Sequence, residues 1–132
     1  MSGMPFQGLD DLKILYLSGN WITTLSGSPF QGLPKLQRLN LTKNEIQVLS
    51  GTPFKGLDTL QDLDLRYNQI NTLEGFPFFG LYNLKTLNLD DNQLQILKRF
   101  HFWGLPELQS LHLSNNRLTE LCAGCLDGAG EN

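Results

Sequence analysis

Leucine and polar residues alternate along this chain in short bursts that return at a fixed interval. In the stretch from Leu36 to Leu57, LQRLNLTKNEIQVLSGTPFKGL, Leu39 and Leu41 alternate with Arg38, Asn40 and Thr42. That is the period of a strand with one buried face, because successive side chains of an extended backbone point to opposite sides. Sliding the sequence by 24 residues nearly superposes it on itself, and Leu12, Leu36, Leu60, Leu84 and Leu108 open the successive units. Each unit reads L-x-x-L-x-L-x-x-N-x-(I/L)-x-x-L, and all but the last close on F-x-G-L after a variable stretch. A period of this length predicts a solenoid, in which each coil covers the apolar face of its neighbour.

The remaining columns add detail. Stacked copies of the strand predict a parallel sheet with neighbours about 4.8 Å apart. Asn20, Asn44, Asn68, Asn92 and Asn116 stand where the chain turns inward after the strand. A buried amide there can bond backbone groups of its own turn and the next. Phe6, Phe30, Phe54, Phe78 and Phe102 are expected to fill the wider convex side. Gly8, Gly32, Gly56, Gly80 and Gly104 predict a tight turn before leucine re-enters the core. Pro5, Pro29, Pro53 and Pro77 set an extended lead into that turn, and His101 and Cys125 interrupt their column.

On these motifs the chain resembles the leucine-rich repeat proteins, of the 24-residue type found in vertebrate Toll-like receptors, small proteoglycans and lamprey variable lymphocyte receptors. The resemblance runs from Pro5 to Gly128. It implies an α/β fold class: a curved leucine-rich repeat solenoid of about five repeats. The concave face would carry a parallel β-sheet and the convex face irregular or short 3-10 segments. One domain over 1–132 is expected, with a partial leading repeat at 1–11, four full repeats over 12–107, and a fifth at 108–132. The fifth ends in a degenerate cap, where CAGCLDGAG replaces the usual ending. Neither end shows the family's full cap, which predicts frayed ends or end-to-end association.

Charge and composition then narrow the function. A net charge of -3 without clustered lysine and arginine predicts no nucleic-acid partner. No run of eighteen apolar residues occurs, so no membrane span is expected. No secretory apolar region follows Met1. Two cysteines, Cys122 and Cys125, are too few for a disulfide framework. Their C-x-x-C spacing reads as a degenerate cap, disulfide-linked within or between chains. The alternatives are a redox pair or half a zinc site, and zinc would need two further ligands. Catalysis finds no support: His101 and His112 fall on opposite sides, and no activated nucleophile or phosphate-binding glycine loop is seen. No metal and no cofactor is expected.

The positions facing the concave side run Ile14, Tyr16, Ser18; Arg38, Asn40, Thr42; Asp62, Asp64, Arg66; Thr86, Asn88, Asp90; Ser110, His112, Ser114. Scaffold columns hold while these vary in charge and size, as a recognition surface on rigid strands requires. The plain alternative is free drift of solvent-facing positions. Tyr16, Arg38, Asn40, Asp62, Asp64, Arg66, Asn88, Asp90 and His112 are therefore the candidate ligand-binding residues. Asp62, Asp64, Asp90 and Asp91 make an acidic centre that suits a cation or a basic ligand. Arg38 beside Asp62 and Arg66 beside Asp90 predict that these charges neutralise one another instead.

A second feature lies on the convex side. Phe76, Phe79, Tyr82, Phe100 and Trp103 make an aromatic patch; all but Tyr82 stand in columns that are polar in the first repeats. It is expected either to mediate self-association or partner docking, or to pack upon itself. The resemblance implies a non-enzymatic binding module, recognising a protein or a microbial surface glycoconjugate in innate or lymphocyte-receptor-like immunity. Its expected place is extracellular or at the cell surface. A cytoplasmic scaffold or adaptor and an oligomerising structural subunit are the alternatives.

Overall fold

In the computed structural model, residues 5–121 are described. The strands are β1 (Ile14–Tyr16), β2 (Arg38–Asn40), β3 (Val48–Leu49), β4 (Asp62–Asp64), β5 (Thr72–Leu73), β6 (Thr86–Asn88), β7 (Ile96–Leu97), β8 (Ser110–His112) and β9 (Glu120–Leu121). Five of them form one parallel sheet in the order β1-β2-β4-β6-β8. Its register follows the repeat, with Ile14 opposite Arg38, Arg38 opposite Asp62, Asp62 opposite Thr86 and Thr86 opposite Ser110. The leucine-rich repeat solenoid implied by the sequence is the observed architecture.

The core follows from the alternation. Leu39, Leu63 and Leu87, the middle residues of their strands, are buried, while their neighbours face solvent. Behind them the phenylalanine column forms a continuous stack. Ring centroids of Phe6, Phe30, Phe54, Phe78 and Phe102 are separated by 5.8, 6.1, 6.2 and 6.0 Å in turn, with ring planes nearly parallel throughout. Gly32 shows why the turn beside it excludes larger residues. Its φ is +95°, and a Cβ there would lie 3.0 Å from the Gln7 backbone of the coil before.

The asparagine column is the polar counterpart of that stack. Asn68 Nδ2 donates to the carbonyls of Leu41, Leu65 and Arg66, and its Oδ1 accepts from the Ile46 amide. Asn44, Asn92 and Asn116 repeat the arrangement, each reaching back one coil. Asn20 departs from the expected buried role. It is exposed and its side chain donates only to Ser18, because the amide of this column reaches toward the strand turn of the preceding coil, and no such turn lies there among the described residues.

Away from the main sheet the chain is more regular than irregular segments would be, until the fourth repeat. β3 pairs with β5, and β7 with β9, but these are two separate two-stranded sheets. The interruption has a sequence cause. Gly27, Gly51 and Gly75 each take a left-handed φ of 63–69° just after their leucine, and each is followed two residues on by proline. In the fourth repeat these positions are Arg99 and His101. A left-handed turn at arginine costs roughly 1–2 kcal/mol, and the chain instead forms a 3-10 helix over Arg99–Phe102.

Candidate ligand-binding face

The main sheet presents the predicted ribbon of side chains as a ladder, but its members differ in how free they are. Asn40, Asp64 and Asn88 occupy one column and share a local task. Each Oδ1 accepts from the amide two residues on, that of Thr42 at 2.9 Å, Arg66 at 3.1 Å and Asp90 at 3.1 Å. Short polar side chains at a strand end hold the backbone turn in this way. Asp90 is engaged too, accepting from the Ser114 amide of the next coil. Tyr16 and His112 end the column, are exposed, and show no such bond among the described residues; Tyr16 keeps 67% of its surface accessible.

The charges pair differently from the sequence expectation. Arg38 does meet Asp62 across the ladder, through Nε at 3.4 Å, with both side chains well exposed. Arg66 does not turn to Asp90. It folds onto Asp64 in its own coil, with Nε 2.9 Å from Oδ1 and Nη2 2.8 Å from Oδ2. The hydrogen bond and charge of Asp64 raise the Arg66 pKa above its ordinary value. Proximity along one strand end decides this, because Asp64 is already oriented by the Arg66 amide. Asp91 leaves the ribbon altogether and sits in the following turn with φ +57°.

Tyr16, Arg38, Leu39, Asn40, Asp62 and Asp64 line a shallow depression of about 250 Å³ across β1, β2 and β4. It combines an aromatic ring, a guanidinium held by a single contact, and carboxylate and amide oxygens. Such a surface offers donors, acceptors and a stacking face together, which suits contact with a polar macromolecule.

The leucine rich repeat profile matches residues 2–46, 34–77 and 70–118. This chain belongs to the leucine-rich repeat family. The structure is similar to that of Toll-like receptor 13 in its complex with single-stranded RNA. The two are 38% identical with a TM-score of 0.83 over 86% of this chain and 16% of that one. The chain thus spans about a sixth of the length of that receptor chain. No curated protein matches it.

This likeness corrects one expectation. The absence of a nucleic-acid partner was inferred from net charge, yet a leucine-rich repeat chain of this type is found complexed with RNA. Net charge is a sum over the whole surface. Single-stranded nucleic acid is also held by stacking and by a few local cations, which a sum does not register.

The convex aromatic residues of this repeat protein lie in contact with one another. Phe76 stacks on Trp103 with centroids 5.3 Å apart and meets Phe100 edge-on at 6.1 Å, while Phe79 meets Tyr82 edge-on at 6.1 Å. The rings pack on one another, yet Phe76, Phe79, Tyr82 and Trp103 keep 43–49% of their surface exposed. Cys122 and Cys125 lie outside the described residues. Sequence columns missed two features: the backbone-holding role of Asn40, Asp64 and Asn88, and the role of His101. The first could have been read from their uniform Asn/Asp character; the second had only the break in the proline column as a signal.

Proposed function

We propose that this chain is a non-catalytic recognition segment of a Toll-like-receptor-like ectodomain, extracellular or endosomal, that contacts its ligand through the concave ribbon. The supporting observation is the contrast between scaffold and ribbon. Leucine, asparagine and phenylalanine columns stack in one register while Tyr16, Arg38, Asp62, Asp64, Arg66, Asn88, Asp90 and His112 vary along it. The ligand classes are a protein, a microbial surface glycoconjugate, or single-stranded RNA as in the similar receptor complex. Immune recognition is the role this reading gives the module.

Tyr16 and Arg38 are the positions to change, because neither holds a backbone turn. Bacterial cells, their wall polymers, host lysate and a single-stranded RNA oligonucleotide are offered in turn to the natural chain and to a Tyr16→Ser, Arg38→Glu form. The variant should unfold within about 1 kcal/mol of the parent, since both residues are solvent-facing. It should lose at least about tenfold in affinity for whichever probe the parent retains, the equivalent of ~1.4 kcal/mol. Equal retention by both forms would remove the concave-face assignment.

The convex patch supports a second contact, with another copy of this chain, because its ring pairs leave one broad aromatic surface open. Changing Phe79→Ser together with Trp103→Ser should lower the weight-average mass measured by sedimentation at high concentration. An unchanged mass would dismiss self-association through this patch.

A further inference from the structure

His101 is the most buried ionisable side chain among the described residues, with 5% of its surface accessible. It sits where the secondary ladder is interrupted. In the preceding coil the Glu74 amide donates directly to the Leu49 carbonyl at 2.9 Å, joining β5 to β3. The equivalent amide one coil on belongs to Lys98, and it donates instead to Nδ1 of His101 at 3.1 Å. The Leu73 carbonyl of the preceding coil lines the same groove and attracts the hydrogen of the ring's other nitrogen. Since Nδ1 is the acceptor, that hydrogen is on Nε2. The ring therefore fills the gap between β5 and β7, taking the Lys98 amide in place of a backbone carbonyl and setting its other edge against Leu73.

We propose that His101 is an acid-opened splice between the third and fourth coils, holding them together as the neutral ring and releasing them when the ring is protonated. The geometry dictates the direction. A protonated Nδ1 carries a hydrogen pointing at the Lys98 amide, which is itself only a donor, so the contact becomes donor against donor. Beside the ring lies an open groove of about 510 Å³, lined among others by Thr72, Glu74, Lys98, Phe100 and His101, from which water can reach the Lys98 amide once the ring swings out. The charged groups facing the ring from the described residues are Glu74 at the end of β5 and Lys98 beyond β7, with Arg99 beside it in the 3-10 helix.

Burial holds the His101 pKa below its ordinary 6.5 and the charge of Lys98 adds to this, while the Leu73 carbonyl opposes it. The neutral form is thus favoured in the fold. Its stabilising contribution is complete above about pH 6.5, the value of the unfolded chain, and is lost as pH falls below it toward the folded value. The helix that His101 belongs to also carries Phe100 and leads into Trp103, both packed on Phe76. Opening the splice would therefore loosen the convex aromatic patch in acid.

Amide hydrogen exchange on the whole chain tests this, with Glu74 as the internal reference for an unspliced coil. His112→Asn removes the other imidazole from the background. After correction for intrinsic rates, Lys98 protection should fall by up to about tenfold relative to Glu74 between pH 7.5 and pH 5.5. His101→Gln, whose amide can accept from Lys98 and donate to Leu73 at either pH, should abolish the pH response. Arg99→Gly with His101→Pro restores the residues of the other repeats and should close the ladder, protecting Lys98 at both values. Lys98 and Glu74 falling in parallel in the parent, or a pH response persisting without His101, would overturn the proposal.

Discussion

Phe54→Ala lowers the free energy of unfolding by about 3–5 kcal/mol, measured by urea denaturation. Phe54 is fully buried and stacked on both sides, 6.1 Å from Phe30 and 6.2 Å from Phe78. Removing its ring leaves a void that the stack cannot close, because each neighbour is fixed by the next coil and its own leucines. The transfer term and the cavity term therefore act together. The loss should be cooperative, since coils hold only their neighbours and a gap at the third phenylalanine divides the spine. Phe79→Ala is the matched control. That ring belongs to the convex patch with 43% of its surface exposed, and its loss should cost no more than about 1 kcal/mol.

Asn68→Ala should destabilise by about 3 kcal/mol, the upper end for one buried polar group left without a partner. The substitution strands the Ile46 amide outright and weakens three carbonyls besides. The Ile46 amide loses its acceptor, and the Leu41, Leu65 and Arg66 carbonyls each lose one of two donors, keeping Asn44, Asn92 and the Lys43 amide in turn. All belong to turns between central coils, where water is excluded from most of them. Asn68→Asp is a sharper version. Its carboxylate can still accept from Ile46 but has no hydrogen for the carbonyls, and buries a charge against them. Asn20→Ala provides the comparison within the same column. Asn20 is exposed with a single 3.3 Å bond of its own to Ser18, so its removal should change the urea midpoint little. Equal effects at Asn20 and Asn68 would show that the column does not act through its buried bonds.

These contrasts also mark how much the sequence could say. Leu39, Leu63 and Leu87 were legible as core because alternation and a fixed period leave one arrangement that buries them all. The 24-residue offset gave the register of the sheet as well, since a one-residue slip turns leucines to solvent and a two-residue slip breaks the stacking of the other columns. The candidate face was legible only as a set of positions. Asn40 and Asp64 read as free recognition groups, whereas both fasten the amide two residues ahead. Alternation tells which way a side chain points and not which of its atoms is already bonded. The pairing of Arg66 with Asp64 in place of Asp90 has the same origin. His101 was visible merely as a missing proline. That it replaces a backbone bond depends on the joint loss of glycine at Arg99 and proline at His101, which one column alone does not reveal.

Photo-crosslinking from single positions tests the concave contact most directly. A benzophenone-bearing residue is placed either at Arg38, on β2 of the main sheet, or at Gln47, exposed just before β3. Each form is irradiated with bacterial wall polymers, host lysate and single-stranded RNA in separate arms. If the inner ribbon carries recognition, at least one arm yields adducts from position 38 and none above background from position 47. Adducts from position 47 alone, or equally from both, would contradict it.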